Sequence, residues 1–126
     1  MKENLDGTGV PPLGPLSRAV GVGDLVFVSG TVGSEEDGSY SPDAGRQTER
    51  TLQNIEAHLR AGGLGLEHVV SATVYLTRPE DYKAMNDAYS ARFGGVMPAR
   101  ATIVCRMVHD EHLVEISAIA HRGAAG

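Results

Sequence analysis

The stretch Met97-Pro98-Ala99-Arg100-Ala101-Thr102-Ile103-Val104 begins with a backbone-restricting proline and continues as a strand. Alternation puts Arg100 and Thr102 on one face and Ala101 and Ile103 on the other. A guanidinium at the mouth of a strand, among small side chains, suits a carboxylate ligand. Glu115, in the following strand, supplies an acidic group nearby. The chain therefore reads as a scaffold that presents Arg100 and Glu115 in a small-molecule cleft.

The 126 residues make one domain, 1–126, large enough for a single core. A formal net charge of −5, no basic run and no tryptophan argue against nucleic acid. No apolar run approaches membrane-spanning length, so no membrane association is expected. Met1–Val10 has neither an apolar core nor a cleavage pattern, so no signal peptide is expected. The lone cysteine, Cys105, excludes an intramolecular disulfide and fits a reducing cytoplasm. It shares the Ala101/Ile103 face, which is expected to be packed, and reads as an inert buried thiol.

Around the central stretch the pattern predicts seven elements. Residues 1–15, rich in Gly and Pro, read as an irregular arm, and 122–126 as a flexible tail. Arg18–Ser29 predicts a hairpin turning at Gly23-Asp24. Residues 33–45 form a polar loop whose acidic residues lack calcium-loop spacing. Residues 43–61 predict a helix with Leu52, Ile55 and Leu59 on one stripe and Gln47, Glu49, Arg50 and Gln53 on the wet face. Val69–Thr77 predicts a strand with Val70, Ala72, Val74 and Leu76 facing one way. Thr77 and Glu80 match a capping box for a second helix, whose stripe is Tyr82, Met85, Tyr89 and Phe93. Arg100–Arg106 and Leu113–His121 predict two final strands joined as a hairpin by about four residues.

The order is β-β-α-β-α-β-β, an α+β chain with a mixed sheet and two helices on one face. The other face is left bare. Arg100, Thr102, Val104, Glu115, Ser117, Ser71, Thr73 and Tyr75 are expected there. That face is too apolar for plain solvent, which predicts a homo-oligomer with pockets between subunits. In the expected last hairpin Thr102 faces Glu115, and Arg100 lies diagonal to Glu115 at roughly 7–8 Å. Such a pair reads either as a structural ion pair or as a carboxylate clamp beside a base. The second suits hydrolysis of a C=N bond in a small acid, with Arg100 holding the carboxylate and Glu115 activating water.

Several segments resemble a known family. Gly14-Pro15-Leu16-Ser17-Arg18-Ala19-Val20 and Leu25-Val26-Phe27-Val28-Ser29-Gly30 are similar to its first two strands. Gln53-Asn54-Ile55, Val74-Tyr75-Leu76 and Asn86-Asp87-Ala88-Tyr89 recur in similar form. Pro98-Ala99-Arg100-Ala101-Thr102 and Val114–Ala120 resemble its C-terminal signature. By this resemblance the chain is identified as a member of the Rid family, the YjgF-like reactive intermediate deaminases. The resemblance implies a chorismate-mutase-like fold and a homotrimer with intersubunit clefts. It also implies cofactor-free hydrolysis of 2-imino or 2-enamino acids to 2-keto acids and ammonia. Arg100 then binds the substrate carboxylate, Glu115 positions water, and Ser29 and Gly30 line the cleft.

Three cleft positions depart from the family pattern. Leu16 replaces a tyrosine, Thr102 a cysteine, and Thr31 an often-occurring glutamine. With Ser17 on the arm, these residues complete the expected substrate wall. The changes suggest altered substrate preference, such as 2-aminomuconate, or a non-catalytic carboxylate-binding or chaperone-like trimer. His109 and His112 flank a turn too short for a metal site, and no metal or cofactor is expected. His58, His68 and His121 read as surface residues.

Overall fold

Strict alternation of buried and half-exposed residues along Val114–His121 marks a strand flanked on both sides. The computed structural model describes residues 1–125. Its elements are β1 (Glu3–Leu5), β2 (Ala19–Val22), β3 (Leu25–Val32), α1 (Ala44–Ala61), β4 (Val69–Leu76), α2 (Tyr82–Phe93), β5 (Ala99–Val104) and β6 (Val114–His121). One sheet runs in the order β1-β2-β3-β6-β4-β5. Only β4 and β5 pair in parallel.

Both β3 and β4 run antiparallel to β6, so they are parallel to each other. The units β3-α1-β4 and β4-α2-β5 are therefore both crossovers, and their shared right-handedness puts both helices on one face. Under them lies the core. Leu52, Ile55 and Leu59 of α1 meet Val26, Val74, Leu76, Val114 and Ile116 of the sheet, all essentially inaccessible to solvent. Asp43 caps α1 by accepting from the amide of Gly45.

The sheet corrects the expected final hairpin. β5 and β6 are not neighbours, because β4 lies between them. The backbone after β5 crosses the end of β4, where Cys105 donates to the Leu76 carbonyl and Thr77 to the Leu113 carbonyl. The physical reason is coverage: β6 has a buried face and fills the gap between two parallel strands, whereas β5 is mostly exposed and suits an edge.

This pairing also reverses the faces of β5. Arg100, Thr102 and Val104 stand in register with Ala72, Val74 and Leu76, on the helix side. The bare face instead carries Ala101 and Ile103 from β5, Ser71, Thr73 and Tyr75 from β4, and Glu115, Ser117 and Ile119 from β6. Cys105 is consequently half-buried rather than packed in the core.

Other local expectations change for similar reasons. The arm is not wholly irregular, since β1 pairs with β2. A register shift between Val69 and Ser71 turns Val70 outward. The expected capping box at Thr77 does not form; a 3-10 turn at Pro79–Asp81 leads into α2, and Arg78 pairs with Asp81 at 2.8 Å. Gln47 is buried instead of wet, its amide donating to the carbonyls of Ser41 and Glu111 and accepting from Leu113. His58 is buried too, its Nδ1 accepting from Gly7 at 3.1 Å.

Candidate active site

Arg100 emerges beneath α2, not on the bare face. Its guanidinium carbon lies 4.9 Å from the Tyr89 ring centroid and 5.9 Å from that of Tyr82. Nη2 donates to Tyr82 Oη at 3.4 Å, and Nη1 has only the Met85 sulfur at 3.8 Å. Among the described residues no carboxylate lies within 4.0 Å of Arg100. A half-exposed cation with aromatic support and weakly used donors is primed for an anion. Tyr82 and Tyr89 read as a core stripe from sequence; their spacing of one heptad, on the face above Arg100, was the available signal.

Thr102 shares that side of the sheet, and its buried hydroxyl has no partner among the described residues. The Tyr89 hydroxyl is likewise buried without a partner.

Glu115 belongs to a different neighbourhood. It pairs with Val32 of β3 and Tyr75 of β4 on the bare face. Burial pushes its carboxyl pKa up. Beside it β3 is bulged: Val28 pairs with Ala118 and Thr31 with Ile116, so Ser29 and Gly30 together oppose Ser117. The bulge carries Gly30 against the Glu115 carboxylate, leaving no room for a Cβ. Ser29 Oγ donates to the Ser17 carbonyl at 2.6 Å, which ties the arm to this corner. Leu16, next in the arm, is 49% exposed.

Thr31 does not join this group. It is buried on the helix side, and its hydroxyl donates to the Ser29 carbonyl. That hydrogen bond spans the bulge.

The expected adjacency of Arg100 and Glu115 is therefore not present within one chain. Their backbones are two strands and three register steps apart, about 14 Å, and their side chains leave opposite faces. A depression of about 230 Å³ on the bare face is lined by Phe27, Ser71, Thr73, Ser117 and Ile119, and contains neither residue. The rings of His109 and His112 meet edge to face, 5.1 Å between centroids. Among the described residues no group of three or more His, Cys, Asp or Glu is arranged to hold a metal ion. Among them, too, no helix is long and apolar enough to cross a membrane.

A mixed sheet backed by two helices, with a Pro-x-Arg sequence leading into its edge strand, defines a small α+β class. The family described as Endoribonuclease L-PSP matches residues 8–122, and the chain belongs to it, the YjgF-like Rid family. A RutC family protein of Pyrococcus abyssi is 38% identical over 113 residues, 88% of this chain and 89% of its own length. The crystal structure of a putative endoribonuclease from Thermotoga maritima superposes with a TM-score of 0.88 at 35% identity, covering 96% of this chain and 98% of that one. E. coli TdcF with bound serine superposes with a TM-score of 0.87 at 27% identity, covering 96% and 99%.

Proposed function

We propose that this chain is a cofactor-free hydrolytic deaminase of 2-imino or 2-enamino acids, yielding a 2-keto acid and ammonia. The observation that carries the reading is Arg100: a guanidinium held on two tyrosines with no carboxylate partner among the described residues. The likeness to TdcF, described with a bound amino acid, supports a small carboxylate as its ligand. The net charge of −5 does not favour RNA as a substrate.

Because Arg100 and Glu115 leave opposite faces of one sheet, the reading requires two copies of the chain. The exposed apolar residues Phe27 and Ile103 on the bare face favour burial against a second copy. In a cyclic trimer each cleft then takes Arg100 from one copy and Glu115, Ser29 and Gly30 from the next.

In such a cleft Arg100 forks onto the substrate carboxylate. An enamine first tautomerises to the imine, whose protonated form is electrophilic at C2. Glu115 accepts a proton from water as the water oxygen bonds to C2, giving a carbinolamine. That proton passes to the nitrogen, and the C–N bond breaks with its electrons leaving on ammonia. Glu115 takes the carbinolamine hydroxyl proton as the carbonyl of the keto acid forms, then hands it to the departing ammonia as ammonium. A carboxyl whose pKa is raised by burial takes and returns a proton more readily than an ordinary carboxylate, which suits this two-way transfer. Leu16 and Thr102, standing in for a tyrosine and a cysteine, favour a substrate range shifted from the family's usual one, with 2-aminomuconate a candidate.

The test follows 2-iminobutanoate, generated in situ by a threonine dehydratase, and 2-aminomuconate, each with and without protein. Acceleration lost in Arg100→Ala, with the oligomer retained in sedimentation, is the expected result. No acceleration with either substrate, or a monomer at assay concentration, refutes the reading.

A further inference from the structure

We propose that Tyr82 is a specificity-determining residue whose hydroxyl is a third donor to the carboxylate held by Arg100. The inference rests on the reading of Arg100 as a clamp and extends it to a residue that sequence patterning assigns to the core.

Hydrogen-bond arithmetic leads to it. A guanidinium carries donors and no acceptor, so at the 3.4 Å contact Tyr82 Oη is the acceptor. Its own O–H must then point away from Arg100. Among the described residues that O–H donates to nothing, and the Tyr82 side chain is exposed, with 49% of the residue accessible. Tyr89 behaves differently: it is 4% exposed and packs on Phe93 at 4.6 Å between ring centroids. The two tyrosines thus divide the work. Tyr89 forms the floor under the guanidinium, and Tyr82 stands at the rim with a free donor.

An anion arriving at Arg100 accepts from its N–H groups and lies within reach of that hydroxyl. A carboxylate has about four lone-pair sites, enough for a bidentate arginine and a phenol together. A primary amide at the same place offers only one acceptor oxygen and brings an NH2 that has nothing to pair with beside a cation. Tyr82 therefore sharpens discrimination for carboxylate over neutral analogues, in addition to the charge of Arg100.

The experiment titrates 2-oxobutanoate, a stable acid of the product class, into the full-length wild type, Tyr82→Phe and Arg100→Ala, read by calorimetry. Tyr82→Phe removes one exposed oxygen, so folding is undisturbed. The expected result is about tenfold weaker binding in Tyr82→Phe, with 2-oxobutanamide weak and equal in both. Turnover of the imine should show KM raised by a similar factor with kcat within about twofold. Equal 2-oxobutanoate affinity in wild type and Tyr82→Phe, with binding lost in Arg100→Ala, overturns the role of Tyr82 and leaves the clamp standing. Undiminished binding in Arg100→Ala, or none in wild type, overturns the clamp and this inference with it.

Discussion

Gly30 in the bulge of β3 lies so close to Glu115 of β6 that a Cβ there would overlap the carboxylate Oε2. Gly33, three residues on, is crowded differently: a Cβ there would overlap the backbone carbonyl of Gln47 in α1. The two glycines therefore predict different phenotypes. Gly30→Ala displaces a side chain that can swing, so stability changes by less than about 1 kcal/mol while deaminase turnover falls at least about tenfold. Gly33→Ala meets backbone that cannot swing, and costs about 1–3 kcal/mol. Urea unfolding and imine turnover measured on both variants separate the cases; equal losses of stability would refute the assignment.

Gln47 is the polar hub joining α1 to both loops near it. Through one amide it satisfies the carbonyls of Ser41 and Glu111 and the amide of Leu113. Gln47→Leu keeps similar bulk but strands those three backbone groups, for an expected cost of about 2–4 kcal/mol in urea unfolding. A loss below about 0.5 kcal/mol would show that water replaces the amide.

His58 makes stability depend on acid. Burial lowers its pKa, Asp6 opposing the shift and Arg18 adding to it. The unfolded chain then binds the proton more readily than the fold does. The stability contribution is therefore full above the ordinary histidine value of about 6.5 and is lost as pH falls below it. Protonation also removes the Nδ1 acceptor from the Gly7 amide, the anchor of the arm on α1. Once rates are normalised for the intrinsic base-catalysed exchange, the protection of the Gly7 amide should fall as pH drops below about 6.5, and His58→Gln should flatten that dependence. An exchange profile unchanged by the substitution counts against the anchor.

Glu115 has the opposite sign. Burial raises its pKa, so in the interval above the ordinary carboxylate value the folded state holds more protons than the unfolded one. Its contribution weakens the fold as pH rises through that interval. Glu115→Gln, which cannot ionise, should melt at a higher temperature than wild type at pH 8 and at a similar temperature at pH 4. The same variant should keep 2-oxobutanoate binding and lose most imine turnover. A variant less stable than wild type at pH 8 would point to an unseen partner for the carboxylate.

Most of the fold was legible along the chain because it follows local rules. The periodic stripe Leu52, Ile55 and Leu59, the turn at Gly23-Asp24 and the alternation in β6 each report which side of an element is buried. The site was legible by residue type: Arg100 and Glu115 stood out as a cation and a carboxylate in strands of small side chains. Their relation to each other was not legible. Two consecutive strands with a short polar connection pair as a hairpin by default, and nothing local says that β4 will come between them.

The order of elements from β2 onward, the two-helix cover and the family signature around Arg100 were thus determined by the sequence alone, since each depends on residues within a turn or a strand of one another, whereas β1 in the arm was not. Tertiary structure alone decided that β6 sits between β3 and β4, because only the assembled sheet reveals which strand has a buried face to fill that gap. That one placement sent Arg100 and Glu115 to opposite faces, brought Gln47 against Glu111 and Leu113, and set Tyr82 beside the guanidinium, while the arm closed over His58. Each of these depends on packing between residues far apart in the chain, where periodicity carries no information.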